Sequence, residues 1–237
     1  MKILVIGDSC IDNFVYCHIN RLCPEAPVPV LQPIKKVTNP GMAANVAANL
    51  ESLDVEVDLI TNNDFIEKTR YVDEKRGQMI MRLDEGDECE RYDGLYNSEG
   101  YDAIVISDYN KGFLTEYDVS SFVDESKCPV FLDTKKFLGE WSKDVDFIKI
   151  NLPEYNMNRS YKYDNLIITD GKDGAMYKGD NYPVLKKVKV SNVSGAGDTF
   201  LAGLVYSYTK TKRIDIAINF ANKCASKVVQ ERGVTTI

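Results

Sequence analysis

The sequence has 237 residues, of which 44% are hydrophobic and 27% are charged, so one sizeable core can form. Its formal net charge of −7 argues against a nucleic acid or an anionic membrane surface as the main partner. Its apolar runs are too short to cross a membrane. The six cysteines show no C-x-x-C pair and no metal-ligand spacing, which predicts reduced thiols in a cytoplasmic protein. With one histidine, His18, a histidine-based triad or zinc site is not expected.

The chain opens with a short apolar strand, Lys2–Ile6, followed by Gly7. Asp12 follows five residues after Gly7, near the predicted carboxyl end of this strand. Open α/β sheets bind their ligands at that edge, and a carboxylate there suits a grip on sugar hydroxyls. A turn in which Asp12 caps its own backbone is the alternative.

Extended, proline-rich segments predict a small β lid outside the main sheet, because proline favours edge strands and turns. Such a lid commonly closes over a substrate or pairs with a second subunit. We expect it at about residues 13–33 and 69–84. Its strands are predicted at Phe14–Ile19, Val28–Leu31, Thr69–Asp73 and Gln78–Leu83.

A helix is predicted from Pro40-Gly41 to about Leu53. Asn45 and Asn49 lie off its apolar stripe. Asn45 could donate to and accept from a substrate hydroxyl, and a solvent-facing polar residue is the alternative. The stripe consists of Met42, Ala43, Val46, Ala47 and Leu50.

Short apolar strands alternate with helix-compatible segments, which predicts a mostly parallel sheet with helices on its faces. Several of these strands end in polar residues, which would converge on one edge of the sheet. The predicted strands are Val55–Ile60, Ala103–Ser107, Val130–Asp133, Phe147–Ile150 and Leu166–Thr169.

At that edge, Lys111 and Lys135 could offset phosphate charge. Asn151 and Glu154 carry oxygen ligands of the kind that hydrated Mg²⁺ prefers. The glycines after the last strand, Gly171 and Gly174, would let the backbone lie against a flat ring.

The pattern of Asn192–Leu201 predicts a glycine-containing turn that leads into a helix. Free backbone N–H groups and the positive end of the helix dipole at Gly195, Ala196 and Gly197 would hold a phosphoryl group. Asp198 is then placed as the base that takes a proton from an attacking hydroxyl. An ordinary helix cap is the alternative for this motif.

These motifs, in this order, resemble the ribokinase-like, or PfkB-type, carbohydrate kinases, and within them the heptose 7-phosphate kinases. The resemblance covers nearly all of residues 1–237, which implies a single kinase domain. Asn192–Phe200 matches the family's C-terminal signature. The supporting stretches are Arg21–Val30, Asn39–Ala47, Gln78–Asp84 and Ile106–Gly112.

The resemblance implies a central, mostly parallel sheet flanked by helices, a β lid, and the use of ATP with Mg²⁺. It implies that Asp198 is the catalytic base and that Gly195, Ala196 and Gly197 form the anion hole. The sugar-contacting positions would be Asp12, Gly41 and Asn45, with Arg82 and Lys111 for a sugar phosphate. The nucleotide-binding positions would be Asn151, Glu154, Thr169, Gly171, Gly174 and Asn222, of which Asn151 and Glu154 would order Mg²⁺ through water.

This sequence also departs from the family pattern. Met42 stands where the family usually has a glycine, and the chain is short after Val55–Ile60 and between Glu154 and Leu166, which implies a trimmed fold. The resemblance implies an ATP-dependent sugar kinase, with the anomeric hydroxyl of heptose 7-phosphate as one candidate acceptor and with a homodimer formed through the lid. A catalytically weak sugar- or nucleotide-binding regulatory protein, or a kinase for another sugar or a nucleoside, is the alternative. A dinucleotide oxidoreductase is excluded, because no G-x-G-x-x-G turn follows the first strand.

Overall fold

A computed structural model describes residues 1–94, 98–185, 188–231 and 233–237. Its strands are β1 (Lys2–Gly7), β2 (Ser9–His18), β3 (Gln32–Met42), β4 (Glu56–Ile60), β5 (Glu67–Asp73), β6 (Met79–Glu85), β7 (Ala103–Asp108), β8 (Val130–Thr134), β9 (Phe147–Asn151), β10 (Leu166–Thr169), β11 (Ala175–Tyr177) and β12 (Asp180–Tyr182). Its α-helices are α1 (Ala43–Glu51), α2 (Glu116–Glu125), α3 (Leu152–Met157), α4 (Ala196–Thr211) and α5 (Ile214–Val228).

The main sheet has eight strands in the order β12-β11-β10-β9-β8-β7-β1-β4. Strands β4, β1, β7, β8, β9 and β10 run parallel, and β11 and β12 add an antiparallel edge. The prediction of a mostly parallel sheet flanked by helices is confirmed. Because β7 to β10 are parallel neighbours, their polar carboxyl ends meet at one edge of the sheet, as expected.

Alternate residues of the central strands enter two apolar layers, because successive side chains of a strand point to opposite faces. Ile3 and Val5 pack on one face with α1, α4 and α5, whereas Leu4 and Ile6 pack on the other face with α2. The sheet is therefore buried on both sides, which explains why these strands read as continuous apolar runs.

A second sheet of four strands, in the order β3-β2-β5-β6, forms the lid. The sequence prediction missed β3, and it wrongly expected a strand at Val28–Leu31, where the structure has only an isolated bridge between Leu22 and Pro29. Strand β3 contains Pro33 and Pro40 and lies at the edge of its sheet, where a residue without an N–H is tolerated.

The predicted start of the first helix is also wrong. Pro40 and Gly41 belong to β3, which ends at Met42, and α1 begins at Ala43. Met42 turns the chain between the two elements with φ 59° and ψ −130°. Asn45 and Asn49, expected off the apolar stripe, are both buried, because α4 packs on that side of α1.

The expected shortening is visible in two connections. Only residues 61–66 link β4 to β5, and the segment between Glu154 and Leu166 carries just the end of the short α3. None of the helices in the described ranges is long and apolar enough to cross a membrane.

Candidate active site

The N-terminus of α4 is built around two glycines that have no room for a side chain. Gly195 caps the helix with φ 77°, and a Cβ atom there would lie 2.8 Å from Asn45 Nδ2. A Cβ atom on Gly197 would lie 3.0 Å from Lys149 Nζ. A side chain on either glycine would therefore meet Asn45 or Lys149, and the Ala196 N–H of this turn donates to the Val193 carbonyl at 3.3 Å.

Asp198 lies in the first turn of α4 and is only 4% exposed. Asn45 Nδ2 donates to its Oδ2 at 2.8 Å, and the Tyr109 hydroxyl donates to its Oδ1 at 2.7 Å. Burial raises the pKa of Asp198 to about 6, while the two hydrogen bonds and the charge of Lys149 lower it and the charge of Asp133 raises it. A carboxylate with a pKa near neutrality and donors on both oxygens suits a general base.

The sequence analysis named Asp198 and Asn45 but gave no role to Tyr109. Tyr109 follows β7, and the ammonium groups of Lys68 and Lys135 lie 5.5 Å and 5.2 Å from the centroid of its ring. Burial and the charge of Asp198 raise the pKa of Tyr109 well above its ordinary value, so its hydroxyl stays protonated. Its position directly after a strand that ends at the site was the only signal in the sequence.

Buried charges lie beneath the α4 turn at the ends of β8 and β9. Lys149 Nζ lies 2.6 Å from Asp133 Oδ2, and both side chains are nearly inaccessible to solvent. Lys135 pairs with Glu154 and lies 3.9 Å from Asp133 Oδ1. Lys149 was missed by the sequence analysis, although a lysine inside an apolar strand is a signal for a buried ion pair.

On the lid side, Asp12 lies in β2 and forms an ion pair with Arg70 of β5 at 2.6 Å. It thus projects from the lid rather than from the end of β1, where the sequence analysis expected it. A Cβ atom on Gly41 would lie 2.9 Å from Asp12 Oδ2 and 2.6 Å from Cys10 Sγ, so glycine is required there.

Positive side chains gather between the lid and the end of β7. Lys111 pairs with Asp87, and Arg82 forms two hydrogen bonds to Asp84 at 2.8 and 2.9 Å. The hydrogen bond from Lys111, followed by the charges of Lys111, Lys68 and Arg82, lowers the pKa of Asp87. Lys68, which the sequence analysis did not name, forms no ion pair with any described residue, and burial is the main cause that lowers its pKa.

Asn151 and Glu154 lie at the start of α3 and cap it reciprocally. Asn151 Oδ1 accepts from the Glu154 N–H, and Glu154 Oε2 accepts from the Asn151 N–H, both at 2.8 Å. The other Glu154 oxygen pairs with Lys135. In the part of the chain that is described, no group of three His, Cys, Asp or Glu side chains could hold a metal ion directly.

A cavity of about 370 Å³ lies beside the α4 turn, between the end of β10 and α5. Thr169, Gly171, Gly174 and Asn222 line it together, and Ala196 and Gly197 form one end. A Cβ atom on Gly174 would lie 2.1 Å from the Tyr182 carbonyl oxygen, and Asn222 Nδ2 donates to the same oxygen at 2.8 Å. Four residues predicted to bind nucleotide therefore share one cavity, while Asn151 and Glu154 lie outside its lining.

Comparison with known proteins is consistent with this site. Residues 130–237 match the family described as "pfkB family carbohydrate kinase". The bifunctional protein HldE of Nitratiruptor sp. is 30% identical over 291 residues, covering 99% of this chain and 63% of that protein. The HldE protein of Campylobacter jejuni is 28% identical over 288 residues, covering 100% of this chain and 62% of that protein. The chain thus spans less than two thirds of these relatives, and the alignments are longer than its 237 residues because the relatives contain internal segments that it lacks.

Solved structures with the same fold have low sequence identity. Ribokinase from Thermotoga maritima has a TM-score of 0.70 at 16% identity, covering 98% of this chain and 94% of that one. Arabidopsis thaliana ribokinase complexed with ribose and ATP has a TM-score of 0.69 at 14% identity, covering 98% and 93%.

The chain has a ribokinase-like fold with a four-stranded lid and with a cavity beside the N-terminus of α4. Over residues 130–237 the chain resembles the pfkB family of carbohydrate kinases, and over nearly its whole length it resembles the HldE proteins. The resemblance read from the sequence is confirmed at this level.

Proposed function

We propose that this chain transfers the γ-phosphoryl group of ATP to a hydroxyl of a sugar or sugar phosphate. The observation that carries the proposal is the position of Asp198. This buried carboxylate lies in the first turn of α4, directly after Ala196 and Gly197, which line the cavity, and it accepts hydrogen bonds from Asn45 and Tyr109. A proton acceptor at the junction of two binding sites is what transfer between two bound molecules requires.

In the proposed reaction, the sugar binds between the lid and Asp198, with Asp12, Gly41 and Asn45 at its hydroxyls. Asp198 takes the proton of the attacking hydroxyl, and that oxygen then bonds to the γ-phosphorus as the bond to the leaving ADP oxygen breaks. The N–H groups of Gly195, Ala196 and Gly197 stabilise the charge on the transferring group. Closure of the lid excludes water, which would otherwise consume ATP.

ATP is proposed to occupy the cavity lined by Thr169, Gly171, Gly174 and Asn222, with Mg²⁺ bound to its phosphates. Both carboxylate oxygens of Glu154 are already engaged, so Asn151 and Glu154 fit a hydrated ion held through water rather than direct ligation. When bound, Mg²⁺ would neutralise part of the phosphate charge.

The proposed acceptor is a sugar that already carries a phosphate, with heptose 7-phosphate the first candidate. Two features support a phosphorylated acceptor: the relation to HldE proteins and the positive charges of Lys68, Arg82 and Lys111 beside the cleft. Another sugar or a nucleoside is the alternative acceptor. Met42, in place of the usual glycine, supports that alternative because its side chain packs in a cluster with Cys10 and Tyr109.

We also propose that the lid pairs with the lid of a second copy. Ile11, Met81 and Leu83 are exposed apolar residues that share one face of the lid by register. Exposed apolar side chains on a small sheet favour pairing.

The test is ADP release with Mg²⁺-ATP against a panel of sugars and sugar phosphates that includes heptose 7-phosphate. We expect turnover on a phosphorylated sugar, and we expect Asp198→Asn to reduce kcat by several orders of magnitude with little change in ATP affinity. Near-normal turnover of this variant would remove Asp198 from the mechanism. Absence of turnover with every acceptor, together with measurable sugar or ATP binding, would favour the regulatory binding protein instead.

A further inference from the structure

We propose that Tyr109 is a positioning residue for Asp198: its hydroxyl fixes the orientation of the carboxylate, whose remaining acceptor sites can then receive the proton of the sugar hydroxyl. The inference rests on the proposed role of Asp198 as the base. It concerns a contact between residues 89 positions apart, which brings the end of β7 to the start of α4.

The hydrogen bonds around Asp198 are shared evenly between its two oxygens. The Tyr109 hydroxyl donates to Oδ1 at 2.7 Å, and Asn45 Nδ2 donates to Oδ2 at 2.8 Å. An ionised carboxylate oxygen can accept about two hydrogen bonds. Each oxygen of Asp198 therefore keeps one acceptor site, and the carboxylate plane is fixed by donors at both ends.

Tyr109 is itself restrained by a hydrogen bond of its backbone and by contacts of its ring. Its backbone N–H donates to the buried carboxylate of Asp8 at 2.6 Å. Its ring lies beside the ammonium groups of Lys68 and Lys135, on the lid and on the sheet edge, and packs against the cluster that contains Met42. Cations near an aromatic ring are attracted by its negative face, so both ammonium groups help to restrain the ring.

The groups around Asp198 predict in which direction its pKa changes when the Tyr109 hydroxyl is removed. The charged and titratable groups that act on Asp198 are Asp133 of β8, Lys149 of β9, Lys135 after β8 and Cys10 of the lid strand β2. Asp133 raises its pKa and Lys149 lowers it, whereas the Tyr109 hydroxyl lowers it by donating to the charged form. Removing only this hydroxyl should therefore raise the pKa of Asp198 and leave the other groups in place.

The experiment compares the pH profiles of kcat/KM for the wild type and Tyr109→Phe. We expect the acidic limb of the variant to move upward by about one pH unit, because a hydrogen bond to a charged group is lost. Activity should accordingly fall about tenfold more at pH 5.5 than at pH 8. The matched control is Tyr161→Phe, which removes a buried hydroxyl that bonds Ser142 O and Asn165 Oδ1, both at 3.1 Å, away from the cleft. Its pH profile should equal that of the wild type.

A second measurement does not depend on turnover. The carboxyl ¹³C resonance of Asp198, assigned by its loss in Asp198→Asn, is titrated in the wild type and in both tyrosine variants. An upward shift of the midpoint in Tyr109→Phe alone supports the inference, even if no acceptor sugar is turned over, in which case only the proposed function fails. An unchanged midpoint, a loss of activity equal at all pH values, or a gain of activity would overturn it, the last because the hydroxyl would then be blocking the base.

Discussion

Substitutions of Met42 test whether the backbone at the junction of β3 and α1 is strained. It is a non-glycine residue with φ 59° and ψ −130°, a conformation in which glycine dominates, and its side chain is only 3% exposed. Strain at such a position costs about 1–3 kcal/mol. Truncation of a buried Met side chain costs about 2–5 kcal/mol.

These two effects separate when Met42→Ala and Met42→Gly are compared. Both variants lose the packing against Cys10 and Ile66, but only glycine relieves the strained conformation. Glycine normally destabilises relative to alanine by about 0.5–1 kcal/mol, because the unfolded chain gains conformational freedom. We therefore expect Met42→Gly to be more stable than Met42→Ala by about 0.5–2 kcal/mol, despite the smaller side chain.

The assay is urea unfolding at constant m-value, with thermal midpoints as a check. The expected difference corresponds to a midpoint about 2–6 °C higher for the glycine variant. Ala48→Gly, in the middle of α1, is the matched control and should cost about 1 kcal/mol, because Ala48 has ordinary helical geometry. If Met42→Ala were more stable than Met42→Gly by about 0.5–1 kcal/mol, as at an ordinary position, the backbone at Met42 would not be strained.

The same variants probe the sugar side of the cleft. Met42 packs in the cluster that also contains Cys10 and Tyr109, whereas no residue that lines the proposed nucleotide cavity belongs to this cluster within the described residues. Met42→Gly should therefore change the KM for the sugar more than the KM for ATP. The reverse pattern would mean that the start of α1 does not contact the sugar.

Two further predictions follow from the buried carboxylate and the lid. Burial raises the pKa of Asp198 to about 6, so the carboxyl group binds its proton more tightly in the folded protein than in the unfolded chain. The resulting stabilisation is present near pH 4 and is lost as the pH rises through 6. In urea unfolding, Asp198→Asn should therefore gain stability relative to the wild type by up to about 3 kcal/mol between pH 4 and pH 7, and a pH-independent difference would contradict the shifted pKa. Sedimentation should show a dimer that Leu83→Glu dissociates while Ile216→Glu, an exposed position on α5, does not. A strictly monomeric wild type would refute pairing through the lid.

Much of the architecture was accessible from local patterns. Apolar runs such as Ala103–Ser107 and Leu166–Thr169 predicted buried parallel strands because both faces of the sheet are covered. The glycine-rich turn before Asp198 predicted a helix N-terminus, because glycine supplies the left-handed cap that Gly195 adopts. These features depend on a few neighbouring residues, so the sequence carries them directly.

Only the tertiary structure decided which side chains meet. Strand β3 was missed because its hydrogen-bond partners lie in β2, and its two prolines argue locally against a strand. Asn45 was placed off the apolar stripe because helical periodicity reports polarity and not the presence of a neighbouring polar site such as Asp198.

Tyr109, Lys68 and Lys149 escaped sequence analysis for the same physical reason. Each acts on Asp198 or its surroundings from a different strand of the fold, and Asn45 and Asp198 are 153 positions apart in the chain. The chemistry of the α4 turn is therefore encoded locally, whereas the charge and orientation of its carboxylate are set by packing of the lid, the sheet edge and α1 around it.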